Sequence, residues 1–130
     1  MAKIERFEDL ECWKVARLLT KHVYILAETE SLKSDFSTVR QLKSASLSTM
    51  NNIAEGFARF NKKDFMRFLD YAQSSASEVK SMTYVIEDLE IISENEIRQL
   101  RRECEDVQKL TLGLIRYLNK QLKDINTTTP

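Results

Sequence analysis

Residues that turn or break a chain are almost missing from this sequence. Only two glycines and one proline occur in 130 residues, and the proline is the last residue. Sheet proteins need turn residues about every ten positions, and glycine and proline mark most sharp corners. The scarcity therefore predicts long helices with few corners, which is an all-α fold.

Apolar residues at helical spacing divide the chain into four predicted helices. Their approximate ranges are residues 10–29, 37–60, 62–92 and 94–123. Asp9 is the expected N-cap of the first helix. Asn61 with Asp64, and Ser93 with Glu96, have the three-residue spacing of a capping box and open the third and fourth helices.

The third and fourth helices carry the clearest core-facing seams, with apolar or small residues three or four apart. These seams are Phe65, Phe68, Ala72, Ser75, Val79, Met82, Ile86 and Leu89, then Ile97, Leu100, Cys104, Val107, Thr111, Leu114 and Leu118. Short corners make neighbouring helices antiparallel. We therefore expect one up-down-up-down four-helix-bundle domain over residues 1–124, and a short polar tail over residues 125–130.

The first helix carries more apolar surface than one core needs. One stripe runs through Ala16, Leu19, Val23 and Leu26, and a second comprises Val15, Leu18, His22 and Ile25. Together they cover roughly 200° of the helix, whereas a core-facing stripe needs little more than about 100°. The second stripe is therefore a predicted subunit interface. The alternative is a wide stripe with some exposed apolar atoms, which is common.

The residue types of a catalytic or metal site are scarce. His22 is the single histidine, so zinc sites, histidine-based triads and the Glu-x-x-His pairs of di-iron bundles lack their ligands. Gly56 and Gly113 are too far apart to form a phosphate-binding loop. Cys12 and Cys104 should be buried, reduced packing residues. We expect neither an enzyme nor a cofactor, and we interpret His22 as a packing or interface residue.

The end of the second predicted helix contains three polar residues on neighbouring turns. Glu55 and Arg59 are four apart in the favourable order for a helical ion pair, and Asn52 shares a face with Glu55. They form a predicted structural polar cluster, with ligand binding as the alternative. Gly56 costs about 1 kcal/mol relative to alanine in a helix. A close approach to the first helix or to a neighbouring subunit would offset this cost, so Gly56 joins the predicted interface residues.

Charge is balanced overall, with 20 basic and 20 acidic residues, but the topology separates it. Basic residues exceed acidic ones at the end that gathers the N-terminus, the second corner and the end of the fourth helix. A weak, nonspecific phosphate site for RNA or DNA is predicted there at Arg59, Lys62, Lys63, Arg67 and Lys120. Ordinary solvated charge is the alternative. The opposite end is acidic and could dock a basic protein partner.

Neither a signal peptide nor an apolar run long enough to cross a membrane is visible. The expectation is a cytoplasmic protein without membrane contact.

Several motifs are similar to those of one family. The run Asn-Ile-Ala-Glu-Gly-Phe-Ala-Arg at residues 52–59 resembles the N-I-A-E-G-F-x-R signature of the 23S rRNA intervening-sequence proteins. Residues 7–13 resemble the family's opening F-x-x-L-x-x-W, and residues 65–69 resemble the start of its third helix. The family usually has a proline just before the signature, where residues 48–51 read Ser-Thr-Met-Asn.

The resemblance implies a four-helix bundle that packs into a ring-shaped homopentamer. It also implies kinship with the accessory variability determinant of diversity-generating retroelements, a similar bundle that binds nucleic acid and a reverse transcriptase. Function is therefore expected to be that of a self-assembling scaffold or accessory factor. A purely structural or protein-interaction oligomer without a nucleic-acid role is the alternative.

Overall fold

The computed structural model describes residues 3–128, and the side chains of residues 3–124. After a 3-10 turn at Phe7–Asp9, the helices are α1 (Glu11–Ala27), α2 (Phe36–Phe57), α3 (Lys62–Asp88) and α4 (Glu94–Thr128). No strand occurs over residues 3–128. The all-α prediction is confirmed.

The four helices form a square. Each helix packs against the next along the chain, and α4 packs against α1. Contacts between α3 and α4 run antiparallel: Gln108 donates to Ser77 Oγ at 2.6 Å, and Lys80 Nζ lies 3.6 Å from Glu105 of the preceding turn. Because the helices pack in this cyclic order, the α1–α4 side of the square is opposite the α2–α3 side, as expected for an up-down-up-down bundle.

The core consists of two apolar clusters, one towards each end of the bundle. Leu19, Leu26, Leu42, Ile86 and Ile97 belong to the cluster near the first and third corners. Ile53, Leu69, Ala72, Val107 and Leu118 belong to the cluster near the second corner. A hydroxyl layer (Thr20, Ser46, Thr49) is buried between them. The Thr20 hydroxyl can donate to the carbonyl oxygens of Ala16 at 2.8 Å and of Ser46 at 3.0 Å, so it satisfies its own burial and links α1 to α2.

Two of the three predicted N-caps are confirmed. Asn61 Oδ1 accepts a hydrogen bond from the Asp64 backbone N–H at 2.8 Å. Ser93 Oγ accepts one from the Glu96 backbone N–H at 3.3 Å. Such a cap stabilises a helix by about 1 kcal/mol. The prediction for Asp9 is wrong: this residue lies in the 3-10 turn, and Leu10 precedes α1 without a side-chain cap.

Helix ends differ from the predicted ones. α2 ends at Phe57, three residues before its predicted end. Asn61, the cap of α3, has an extended backbone with φ −117° and ψ 151°, so α2 cannot continue into α3. At the other end, the backbone remains helical to Thr128, through most of the predicted polar tail. Residues 129 and 130 of that tail lie outside the described residues.

The core-facing stripe of α1 is confirmed, since Ala16, Leu19, Val23 and Leu26 are all buried. Most of the α3 and α4 seam residues are buried or half-buried as well. Leu89 is the exception, with 59% of its surface exposed. It lies just beyond the last residue of α3, where the chain turns away from the core.

Gly56 marks the closest approach of α2 to α3. A Cβ at this position would lie 2.7 Å from Cβ of Phe68 and 3.0 Å from Cδ1 of Phe65. The expected approach to the first helix is therefore wrong, because the glycine accommodates α3. Gly56 is buried within the chain and offers no surface to a neighbouring subunit. A Cβ added to Gly113 on α4 would meet no atom of the described residues within 4 Å.

We expect Gly56→Ala and Gly113→Ala to change stability in opposite directions. The first inserts a methyl group into a filled contact, which costs about 1–3 kcal/mol and exceeds the gain of about 1 kcal/mol in helix propensity. The second keeps only the gain. Urea unfolding followed by circular dichroism in dilute protein measures both. Equal stabilities of the two variants would contradict this account of the α2–α3 contact.

Candidate interaction surfaces

The titratable groups of the core show neither a metal-binding cluster nor a reactive cysteine among the described residues. Over the part of the chain whose side chains are described, no three His, Cys, Asp or Glu residues approach closely enough to hold a metal ion. Cys12 and Cys104 are free and buried, as predicted. Burial raises the pKa of the Cys12 thiol to about 11 and that of Cys104 to about 12. Both therefore carry almost no thiolate at neutral pH, the form in which cysteine reacts.

His22 has a partner that the sequence analysis missed. Its Nδ1 lies 2.5 Å and 2.8 Å from the two carboxylate oxygens of Glu103 on α4. The Glu103 side chain is 7% exposed and that of His22 is 27% exposed. A buried carboxylate needs such a partner. Glu103 lies one residue before the seam residue Cys104, so its place beside the buried face could be read from the sequence, but its contact with α1 could not.

The environment of this pair shifts the titration of its carboxyl group. Burial raises the pKa of Glu103 above its ordinary value of 4.5, and the hydrogen bond and charge of His22 offset part of that rise. Imidazole beside a carboxylate is also part of a hydrolytic triad, which further needs a hydroxyl or thiol on the second nitrogen. His22 Nε2 makes no hydrogen bond to any residue described in the structure. The pair joins α1 to α4 and lacks a nucleophile.

Exposed apolar residues lie on α1 and on its neighbour α4. We call Leu18, Ile25, Leu110 and Tyr117 the first strip; they are 43%, 57%, 37% and 45% exposed. Ile25 lines a small cavity with Gln99 and Leu100 of α4. Val15 and His22, the other members of the predicted interface stripe, are half-buried beside it.

The first strip continues into an open groove of about 940 Å³ at one end of the bundle. Leu110, Gly113 and Tyr117 line one side of it, and Lys3 and Ile4 of the N-terminal segment line the other. Gly113 leaves this part of α4 without a side chain. A helix from outside could therefore approach the α4 backbone closely.

A second exposed strip lies on α3. It consists of Tyr71, Val85 and Leu89, which are 47%, 59% and 59% exposed. The exposed Glu78 separates Tyr71 from the other two. Ser75, one turn from Tyr71, bonds to Ser48 of α2 at 2.9 Å, so this strip borders α2. The α2–α3 side is opposite the α1–α4 side in the square. The two strips therefore lie on opposite faces of the molecule.

The predicted polar cluster of Asn52, Glu55 and Arg59 is not assembled. Asn52 Nδ2 donates to the carbonyl oxygen and hydroxyl of Ser48, at 2.8 Å and 2.9 Å. Glu55 and Arg59 are exposed and form no ion pair with each other. The Arg59 guanidinium instead lies over the ring of Phe68, 4.6 Å from its centroid. Cation–π contact with a ring of α3 has displaced the ion pair expected within α2.

The predicted phosphate-binding residues separate into groups. Arg59 and Arg67 meet at Phe68, where the Arg67 guanidinium lies 5.7 Å from the ring centroid. Lys63 is exposed on the first turn of α3. Lys62 turns towards α4 and lines the open groove. Lys120 is exposed on α4, and no contact brings it to the others among the described residues.

Phe60 also lies at this corner and is fully exposed. It was absent from the predicted site, which comprised basic residues alone. We call Arg59, Phe60, Lys62, Lys63 and Arg67 the basic corner.

These features define a class of protein: a small four-helix bundle whose candidate functional features are exposed apolar strips and a basic corner on its outer surface. The chain belongs to the 23S rRNA-intervening sequence protein family, whose model matches residues 8–113. No match was found among curated proteins.

A solved structure from Bacteroides thetaiotaomicron has a similar fold. It is described as a protein of unknown function from the S23 ribosomal protein family, and it superposes with a TM-score of 0.74 at 18% sequence identity. The match covers 80% of this chain and 97% of that one. At this identity the likeness shows the fold alone. Separately, none of the helices over the described residues is long and apolar enough to cross a membrane.

We expect His22→Ala to destabilise the fold by about 1–3 kcal/mol, because it leaves the buried Glu103 carboxylate without its histidine partner. Glu103→Gln keeps an acceptor for His22 and removes the buried charge, so at neutral pH it should be neutral or stabilising. Urea unfolding measures both, with the exposed Lys21→Ala as control. A loss for His22→Ala no larger than for Lys21→Ala would contradict the role of the pair.

The same variants give a pH dependence of known sign. Because the folded-state pKa of Glu103 is raised, the folded chain holds this proton more tightly than the unfolded chain. The contribution of Glu103 is therefore most favourable below its unfolded pKa and is lost as pH rises through its folded pKa. Wild type should lose stability relative to Glu103→Gln as pH rises from about 4.5. A constant difference between the two would contradict the raised pKa.

Proposed function

We propose that this protein is a non-enzymatic building block that assembles with copies of itself into a ring and holds nucleic acid weakly at its basic end. The observation that carries the proposal is the pair of apolar strips on opposite faces. A monomer gains nothing from exposing them, and exposed apolar surface of this kind is typical of protein interfaces.

The position of the strips supports a head-to-tail contact. If the first strip of one copy packs on the second strip of the next, each copy uses two different surfaces. Such heterologous contacts close into a ring when the rotation between copies allows it. Five copies is the number that the family resemblance suggests. In a ring of this kind, the basic corners of all copies lie on one face.

We expect the wild-type chain to have a solution mass several times its monomer mass of 15.2 kDa. Breaking either strip should give a folded monomer, because charged residues are costly in an apolar interface. Leu18→Lys with Ile25→Lys breaks the first strip, and Val85→Lys with Leu89→Lys breaks the second. Phe36→Lys, an exposed residue on neither strip, is the matched control. Light scattering after size-exclusion chromatography gives the mass.

Mixing the two broken variants tests the head-to-tail geometry. Each retains one intact strip of opposite type, so an equimolar mixture should form a heterodimer through one restored contact. A symmetric contact between identical strips would leave the mixture without that species.

Gly113→Ala should also weaken assembly while stabilising the monomer, since it fills the space left for a partner helix. A wild-type chain that is monomeric at every concentration would overturn the ring.

Nucleic-acid binding follows from the charge of the basic corner. Arg59 and Lys63 form no ion pair with any residue whose side chain is described, whereas Arg67 lies 3.0 Å from Asp64. Repeated on one face of a ring, such corners would give a basic surface for a phosphate backbone. The purely structural oligomer is the outcome if no nucleic acid binds.

We expect binding of single-stranded RNA or DNA to weaken steeply as salt rises, because phosphate contacts release bound counterions. Lys63→Glu should weaken binding without changing the mass of the assembly, because Lys63 lies outside the groove. Lys33→Glu, at the opposite end, is the control of equal charge change. Fluorescence anisotropy at several salt concentrations measures the affinity. A binding curve that does not change with salt would contradict phosphate recognition.

A further inference from the structure

Phe60 is the most exposed large apolar residue at the second corner. It lies in the turn between α2 and α3, and its ring makes no aromatic contact with any side chain described in the structure. Its aromatic neighbours behave differently: Phe57 and Phe65 stack edge to face at 5.9 Å, and Phe68 packs edge to face with Tyr71 at 5.7 Å. Packing inside the chain therefore gives no reason for a phenylalanine at position 60.

Exposure of one apolar side chain is common in proteins, so the surroundings of the ring decide its meaning. Three cations flank it in the chain, at Arg59, Lys62 and Lys63. Arg59 is held against Phe68 by its cation–π contact. Its position is thereby fixed beside the turn. Opposing charge nearby in the chain comes from Glu55, Asp64 and Asp70, and Asp64 is engaged by Arg67 and by the cap of α3. Asp9 and Glu11 line the groove that Lys62 faces, so Arg59 and Lys63 are the cations left for a ligand.

A free aromatic face beside several cations has a known chemical complement. Unpaired bases stack on aromatic rings whatever their sequence, while the neighbouring phosphates contact lysine and arginine. Bases of a duplex are already stacked on each other and cannot reach such a ring. We propose that the basic corner binds single-stranded nucleic acid, with one unpaired base stacked on Phe60 and the adjoining phosphates on Arg59 and Lys63.

This inference rests on the phosphate binding of the proposed function and adds a preference for unpaired bases. It is independent of the number of subunits in the oligomer. Alternatively, the Phe60 side chain contacts a neighbouring subunit, and Phe60→Ala would then change the mass of the oligomer.

The test measures the binding of wild-type protein to three nucleic acids of equal length. They are an oligothymidylate, an abasic single strand with the same phosphates, and a duplex. Stacking of one base is worth about 1–3 kcal/mol, so Phe60→Ala should weaken binding of oligothymidylate about tenfold. It should leave binding of the abasic strand unchanged. Phe60→Trp should restore the affinity, and its fluorescence should be quenched by oligothymidylate but not by the abasic strand.

Phe36→Ala is the matched control, because Phe36 is an exposed phenylalanine at the other end of the bundle. It should change neither affinity. Equal affinities of wild type for oligothymidylate and abasic strand, or an unchanged affinity in Phe60→Ala, would overturn base stacking while leaving the phosphate site intact. Absence of salt-dependent binding to every strand would overturn both. A change in the oligomer mass of Phe60→Ala would show that the Phe60 side chain forms a subunit contact.

Discussion

The contact of α2 with α3 at Gly56 positions the second corner and the surface around it. No larger residue fits there, since a Cβ would meet Phe65 and Phe68 at 3.0 Å and 2.7 Å. The close approach brings the end of α2 beside the first turns of α3. As a result, Arg59 reaches the ring of Phe68. A cost in helix propensity at one residue is thus offset by packing, and the arrangement of cations at the corner depends on it.

Much of the bundle could be predicted from local chemistry. Seams with 3-4 spacing on α3 and α4, and the caps Asn61 and Ser93, depend on residues a few positions apart. Contacts between helices were harder to predict. Glu103 was missed because its partner His22 is far away in sequence, on α1. The Glu55–Arg59 ion pair was expected from spacing, but an exposed pair is worth little, and contact with Phe68 was available to Arg59.

The candidate surfaces were predictable in part for the same reason. The excess apolar surface of α1 was visible as a second stripe, but that stripe included the half-buried His22 and Val15. The second strip was not predicted. Leu89 continues the α3 seam in sequence but is exposed because the chain leaves the helix there, at Glu90, a non-glycine residue with a φ of 53°. No glycine lies at that turn, so its position could not be predicted from the glycine and proline content. Tyr71 and Val85 are exposed within the helix itself.

The hydroxyl layer in the middle of the core has a consequence for how the helices can slide. Apolar seams of similar side chains allow neighbouring helices to shift by one turn at modest cost, because one leucine fits much like another. Thr20 opposes this for α1 and α2, because a shift would break the hydrogen bond from its hydroxyl to the Ser46 carbonyl oxygen. The hydroxyls of Ser46 and Thr49 bond within α2. One polar contact between helices thus favours a single alignment in an otherwise repetitive core.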